Sequence, residues 1–268
     1  MIMKNKTIYS LLMVVCLVGF WLFENFYTPD TYTAPEGVAP KVNIPFDFLP
    51  SSTTGEIVQH NYFTLSYSEK HEQAEWVAYQ LDRNQLTYDD RTRPYFIEDP
   101  QVRTKSADYK NYKRSGYDRG HLCPAGDRRF SEYAYNETFY TSNISPQNRE
   151  FNAGIWNELE NTVRYWTKKY DGVYVITAGV LSDGLDSIGD EDVTVPAYFY
   201  KIVARRDGAE IKAIAFLFKN KESKSSLKSH VVTIDKIEQK TGIDFFEKLP
   251  NAMEDKFEST VILENWKF

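Results

Sequence analysis

Apolar positions along the chain change period from segment to segment, and each period predicts an element. Ile8 to Phe23 is an apolar run of 16 residues. Lys4 and Lys6 precede it and Glu24 closes it. Residues 25–55 carry Pro29, Pro35, Pro40, Pro45 and Pro50, a spacing that breaks helix and strand alike and reads as a tether. Beyond it Phe63, Leu65 and Tyr67 alternate as in a half-buried strand. Ser68 then reads as an N-cap, with Ala74, Val77, Ala78 and Leu81 at helical spacing behind it. Residues 84–112 are polar and irregular. Ile155, Leu159, Val163 and Trp166 form a helical stripe. Val173 to Ala178, Val193 to Val203 and Ile211 to Phe218 read as strands, the last two joined through an Asp207-Gly208 turn. Ile234 and Ile237 belong to a short helix that Gly242 stops. Strands and separated helices without a regular βαβ alternation predict an α+β fold, a single domain over 56–268.

The amino-terminal 24 residues have the layout of a targeting segment, basic and then apolar. The run is short for a span, which needs roughly 17–25 residues. No small-residue cleavage site follows it, so the expectation is an uncleaved signal anchor rather than a cleaved signal peptide. Basic residues stay on the cytoplasmic side, which places the rest of the chain outside the cytoplasm at the cell membrane, or secreted or periplasmic if the segment is cleaved. The two cysteines, Cys16 and Cys123, exclude a disulfide framework.

Composition excludes a disordered chain and a multi-span membrane protein, with 42% hydrophobic and 26% charged residues. The net charge of −6 argues against a nucleic-acid partner, which calls for a basic surface. The local picture is opposite. From Arg103 to Arg129 there are eight basic and three acidic residues, +5 around the one stretch rich in candidate chemistry.

That stretch contains Asp118-Arg119-Gly120-His121, then Ser142-Asn143-Ile144-Ser145-Pro146-Gln147, then Asn152-Ala153-Gly154-Ile155-Trp156 and Leu159-Glu160. Gly120 lets the backbone bend and present the His121 imidazole, the side chain best suited to take a proton near neutral pH. Arg119 lies two positions earlier, on the same face of an extended segment, and a guanidinium grips phosphate with paired bonds. Asn152 precedes the helical stripe, and its amide oxygen is a hard ligand of the kind magnesium accepts. Glu160 and Arg164 lie one turn apart beside that stripe. His60, His71 and His230 have no motif around them and read as structural or surface residues; His71 falls on the polar face of the expected 74–81 helix.

Together these motifs closely resemble the DNA/RNA non-specific endonuclease family. The similarity continues through Thr177-Ala178-Gly179, Val195-Pro196-Ala197-Tyr198-Phe199-Tyr200-Lys201 and Val232 to Gly242. The resemblance implies a ββα-metal (His-Me finger) nuclease fold, with a central, mainly antiparallel sheet flanked by helices. It implies an Mg2+-dependent endonuclease of DNA and RNA, with Mn2+ as a substitute ion and 5′-phosphate products. His121 would be the general base, Asn152 the direct metal ligand, Glu160 a holder of metal-bound water and Arg119 a phosphate contact. Arg164 matches a basic position near the site and Asn143 a residue beside the active centre. The family also uses an upstream arginine; Arg91 and Arg93 both fall near its place, and Arg93 is preferred. Ala178 stands where many relatives have Gly, and Cys123 where many have Ala. Dimers occur in the family, so a homodimer is an expected assembly. The competing reading is a catalytically silent nuclease-like module that binds nucleic acid or a partner; a small-ester phosphodiesterase is a weaker third.

Overall fold

Most of the apolar segments become strands of one sheet. The computed structural model describes residues 5–26, 48–208, 210–249 and 251–268. It divides into two units, Met1–Thr31 and Tyr32–Phe268. The first contains helix α1 (Asn5–Phe26). Among the described residues no helix is long and apolar enough to cross a membrane.

The second unit is built on strands β1 (Ile57–Gln59), β2 (Thr64–Ser68) and β3 (Gln73–Asp82). A ribbon strand β4 (Asp118–His121), helix α2 (Glu132–Glu137) and ribbon strand β5 (Ile144–Gln147) follow. Helix α3 (Arg149–Phe151) runs through a π-helical turn, Asn152–Trp156, into helix α4 (Asn157–Tyr170). The chain continues with β6 (Gly172–Gly179), the short pair β7 (Ser187–Ile188) and β8 (Val193–Thr194), and the long β9 (Tyr198–Asp207) and β10 (Glu210–Lys219). It ends with β11 (Val231–Val232), α5 (Ile234–Thr241) and α6 (Asn251–Glu258). The main sheet has seven strands in the order β1-β2-β3-β6-β9-β10-β11. Every neighbouring pair in it is antiparallel. With helices set against this sheet, the architecture is the expected α+β.

One expected element is wrong. Residues 74–81 lie in β3, not in a helix, and pair with β2 on one side and β6 on the other. As an interior strand β3 is covered on both faces, so its burial is nearly continuous and alternation disappears. Ala74, Val77, Ala78 and Leu81 fit a helical stripe only because most residues between them are buried too, Trp76 and Tyr79 among them. Even Glu75 is inside, accepting hydrogen bonds from Ser66 Oγ at 2.7 Å and the Thr53 amide at 2.9 Å. His71 therefore sits in the β2–β3 turn, where its Nδ1 meets Thr194 Oγ1 at 2.9 Å. The expected strand Val193 to Val203 also divides, because Pro196 has no N–H for a ladder; β8 ends before it and β9 starts after it. The β9–β10 hairpin turns at Asp207-Gly208 as expected, with Gly208 at φ 64°. Gly242, at φ 71°, caps α5.

The expected tether falls outside the described residues from 27 to 47. From Phe48 the chain packs into the second unit: the Phe48 ring stacks on Tyr174 with centroids 4.6 Å apart, and the Ser51 amide donates to Asp244 O at 2.8 Å. Helix α4 buries Leu159, Val163 and Trp166, and Trp166 stacks on Phe216 of β10. This fixes α4 against the sheet. A smaller apolar cluster containing Phe96, Tyr112, Phe139 and Ile144 lies beneath the β4–β5 ribbon.

Candidate functional site

The ribbon and the helix that follows it form a ββα unit, and the sequence-predicted residues sit on its three elements. β4 pairs antiparallel with β5, placing Gly120 opposite Ser145 and His121 opposite Ile144. A Cβ on Gly120 would lie 2.2 Å from the buried Gln147 side chain, so only glycine fits between Arg119 and His121. Arg119 and His121 then emerge on one face of the strand.

Phe96 organises that face. The Arg119 guanidinium lies 4.7 Å above its ring and the Arg93 guanidinium 5.3 Å, while the His121 ring centroid is 5.7 Å away. Phe139 closes the other side, edge-on to His121 at 4.9 Å and 5.8 Å below Arg93. His121 Nε2 is buried and has no hydrogen-bond partner among the described residues. Burial first, then the charges of Arg93 and Arg119, pull the imidazole down to about 3. It is therefore neutral across the physiological range. Burial and the neighbouring Arg93 also lower Arg119. Of the two upstream arginines, Arg93 stands at the imidazole; Arg91 donates to Arg129 O at 2.9 Å and pairs with Asp89 at 3.2 Å.

Asn143 is bonded to the backbone two residues past His121. Its Oδ1 accepts from the Cys123 amide at 2.8 Å, and its Nδ2 donates to Cys123 O at 3.0 Å and Thr138 O at 2.9 Å. The side chain imitates a neighbouring strand and holds the chain just past His121. Cys123 itself is buried, and burial pushes its thiol up to about 12, which suits a packed and unreactive residue.

Asn152 does not precede the helix, as the spacing suggested; it lies inside a helical run that starts three residues earlier. Asn148 caps that run, its Oδ1 accepting from the Phe151 amide at 3.0 Å. The π-turn begins at Asn152 and contains the non-helical Gly154, at φ −96° and ψ −112°. Such a bulge re-aims a side chain within an otherwise regular helix. Asn152 Nδ2 donates to Asp118 Oδ2 at 3.0 Å, tying the helix to β4.

Two turns on, Glu160 and Arg164 enter a buried charge group. Arg164 Nε donates to Asp127 Oδ1 at 2.5 Å, and its Nη2 lies 3.4 Å from Glu160 Oε2. Arg164 thus spends its charge on two carboxylates. Lys201 is fully buried, with Nζ 4.5 Å above the Trp156 ring and without a hydrogen-bond partner among the described residues. Burial raises Glu160, and Lys201 followed by Arg164 opposes that rise. Burial lowers Lys201, and Glu160 opposes that in turn.

Asp118, Asp127 and Lys201 carry parts of this geometry that sequence reasoning assigned to no role. Lys201 had a visible signal: a lysine in the middle of an otherwise apolar strand. The +5 segment is less basic at its surface than its count implies, because Arg128 is buried and donates to Tyr62 O and Gln80 O, each at 3.0 Å.

The donor set fits a hydrated, hard divalent cation. Asn152 offers one oriented amide oxygen and Glu160 a carboxylate on the same helix, and magnesium keeps several waters where protein ligands are few.

Residues 47–252 match the family described as DNA/RNA non-specific endonuclease. The chain is 35% identical over 218 residues to "Nuclease EXOG, mitochondrial" of Danio rerio, covering 75% of this chain and 63% of that protein. It is 34% identical over 222 residues to "Nuclease C1" of Cunninghamella echinulata var. echinulata, covering 75% and 87%. To "Endonuclease G, mitochondrial" of Homo sapiens it is 34% identical over 209 residues, covering 71% and 68%. The chain thus spans a little under two thirds of the zebrafish relative's length. A solved complex of EndoG with EndoGI superposes at a TM-score of 0.68 and 29% identity, over 74% of this chain and 88% of that one. The expected export and membrane anchoring do not stand: relatives from zebrafish and human are named as mitochondrial nucleases, and the apolar run in α1 is 16 residues, with no described helix long and apolar enough to cross a membrane.

Proposed function

Because the chain belongs to the DNA/RNA non-specific endonuclease family, we propose that it hydrolyses phosphodiester bonds of DNA and RNA at the ββα unit. One observation carries the reading: two guanidiniums and a neutral imidazole gather around Phe96, and the Nε2 of that imidazole has no hydrogen-bond partner among the described residues. An anionic group is the natural occupant of such a place, and a neutral histidine beside it is a base. The His121 imidazole takes a proton from the water that attacks phosphorus in line with the departing 3′ oxygen. Arg119 and Arg93 hold the non-bridging oxygens and oppose the charge that builds there. Asn152 Oδ1 would hold a magnesium ion directly and Glu160 would hold its waters. That ion supplies charge neutralisation at the scissile phosphate. Asn143 keeps His121 in place without touching substrate. Cleavage leaves 5′-phosphate and 3′-hydroxyl ends.

These contacts are to backbone phosphate, so base preference is weak. The catalytic domain comprises the chain from Phe48 onward; a homodimer is what the family resemblance implies, and light scattering tests it directly.

The test is purified protein with plasmid DNA and with RNA, in magnesium or in EDTA, beside His121→Ala. Cleavage by wild type in magnesium alone, and none by His121→Ala, is expected. Cleavage that persists in His121→Ala overturns the assignment of the base. Binding without cleavage under every divalent metal tried favours the silent module.

A further inference from the structure

A second concentration of carboxylates lies on the carboxy-terminal helices, on residues distinct from those of the catalytic site. Asp235, Glu238 and Glu258 each bring one oxygen to within 4.8 Å of the others, and Asp244, Glu254 and Glu258 do the same. Glu258 is shared by both triplets. It closes α6, while Asp235 and Glu238 lie on α5 and Asp244 on the segment just after it.

Acidic side chains at a surface ordinarily repel one another and stay hydrated. Glu258 does not fit that description. It is 7% exposed, and its Oε1 is buried with no hydrogen-bond partner among the described residues. An unpaired buried carboxylate is costly, and either a proton or a bound cation relieves that cost. Burial and then the neighbouring carboxylates Glu238, Glu254, Asp244 and Asp235 push its carboxyl up to about 8. Glu238 is also held in place, its Oε1 accepting from the Phe245 amide at 3.0 Å. Asp235 and Asp244 are exposed, which leaves an open side for an ion to enter and for water to complete its shell.

We propose that Asp235, Glu238, Asp244, Glu254 and Glu258 form a calcium site that fastens α6 to α5 and to the segment following α5. Calcium accepts six to eight oxygens from flexible carboxylates, singly or in pairs, whereas magnesium requires a strict octahedron and keeps most of its water. Three long glutamates and two aspartates spread over three segments match the first demand and not the second. Glu254 and Glu258 lie beyond the matched family region, which ends at residue 252. The fastening reaches the core: Phe257 of α6 packs edge-on to Phe246, and Phe246 packs on Phe48, with centroids 5.0 and 6.0 Å apart.

The experiment is thermal unfolding of the full chain after dialysis against EDTA, with calcium or magnesium titrated back. It is run on wild type and on Asn152→Ala, so that an ion at the catalytic site does not contribute. In both, calcium at ~100 times its Kd should raise Tm by about 5–10 °C, and magnesium at the same concentration by far less. Glu258→Gln should abolish the calcium shift, and the half-buried Glu254→Gln should weaken calcium binding at least ~10-fold by the loss of one charged ligand. Both variants should cleave DNA in magnesium as wild type does. Absence of a calcium shift in wild type overturns the proposal, as does a shift that survives in Glu254→Gln and Glu258→Gln alike. Equal shifts from magnesium overturn the choice of calcium.

Discussion

Asp118 and Asn152 join the first strand of the ββα unit to its helix, through one hydrogen bond of 3.0 Å from Asn152 Nδ2 to Asp118 Oδ2. An amide can point either way, and this bond sets which end of Asn152 would meet the proposed cation. Asp118→Ala removes the orienting acceptor and keeps the ligand. The expected result is a magnesium requirement raised ~10–100-fold, as for other groups that orient metal ligands, with activity recovering at high magnesium. A magnesium titration of plasmid cleavage measures it. An unchanged midpoint would show that Asp118 does not set the amide.

Arg93 and Arg119 both help to hold His121 well below the usual histidine range, after burial. A base with a lowered pKa works while neutral and fails as pH falls through that value. Removing a positive neighbour raises the pKa, so Arg93→Ala should move the acidic limb of the kcat/KM profile toward higher pH. It should also lower the plateau ~10²–10³-fold, the usual cost of one lost donor to a developing charge. A lowered plateau with an unmoved limb would leave Arg93 as a phosphate contact only.

How much of this was legible in the sequence depends on what kind of signal each residue leaves. His121, Arg119 and Asn152 stand in a dense local motif, and the hairpin of β9 and β10 announces itself by two apolar runs and an Asp-Gly turn. β3 was misread because burial on both faces of a central strand erases the alternation that identifies strands. The π-turn left no mark, because the sequence pattern on either side of Gly154 is helical. Arg91 and Arg93 could not be separated, since the segment around them has no period; only the positions of Phe96 and Phe139 distinguish them. Asp127 and Lys201 are far apart in sequence and act through Glu160 and Arg164, a relation that only the fold creates.

Lys201 should act on cleavage without touching substrate. Burial raises the Glu160 carboxyl, and Lys201 is the strongest influence in the other direction. Lys201→Met removes that influence while keeping similar bulk beside Trp156, so the Glu160 carboxyl should rise further and protonate at higher pH. Activity at neutral pH should fall and should recover as the assay is made more alkaline, because the charged Glu160 carboxylate is the form that Lys201 favours. A loss that is the same at every pH would point instead to disturbed packing around Trp156.

His60 supplies a stability prediction independent of catalysis. It is buried, with Nε2 2.8 Å from Asp99 Oδ2 and Nδ1 3.5 Å from Glu137 Oε1. Asp99 also accepts from Ser142 Oγ at 2.5 Å, so the pair braces the segment that leads into β5. Burial pulls the imidazole down, but Asp99 and Glu137 outweigh it and lift it from 6.5 to about 9. Folding therefore favours the protonated histidine. The stabilisation is complete below the unfolded value near 6.5 and declines as pH rises through about 9. Urea unfolding should give a higher midpoint at pH 6 than at pH 10, and His60→Gln should flatten that difference. Asp99→Ala should cost about 3–5 kcal/mol at pH 6, because it leaves a buried charge without its main partner. If the wild type and His60→Gln keep the same pH dependence, the ion pair is not the source of it.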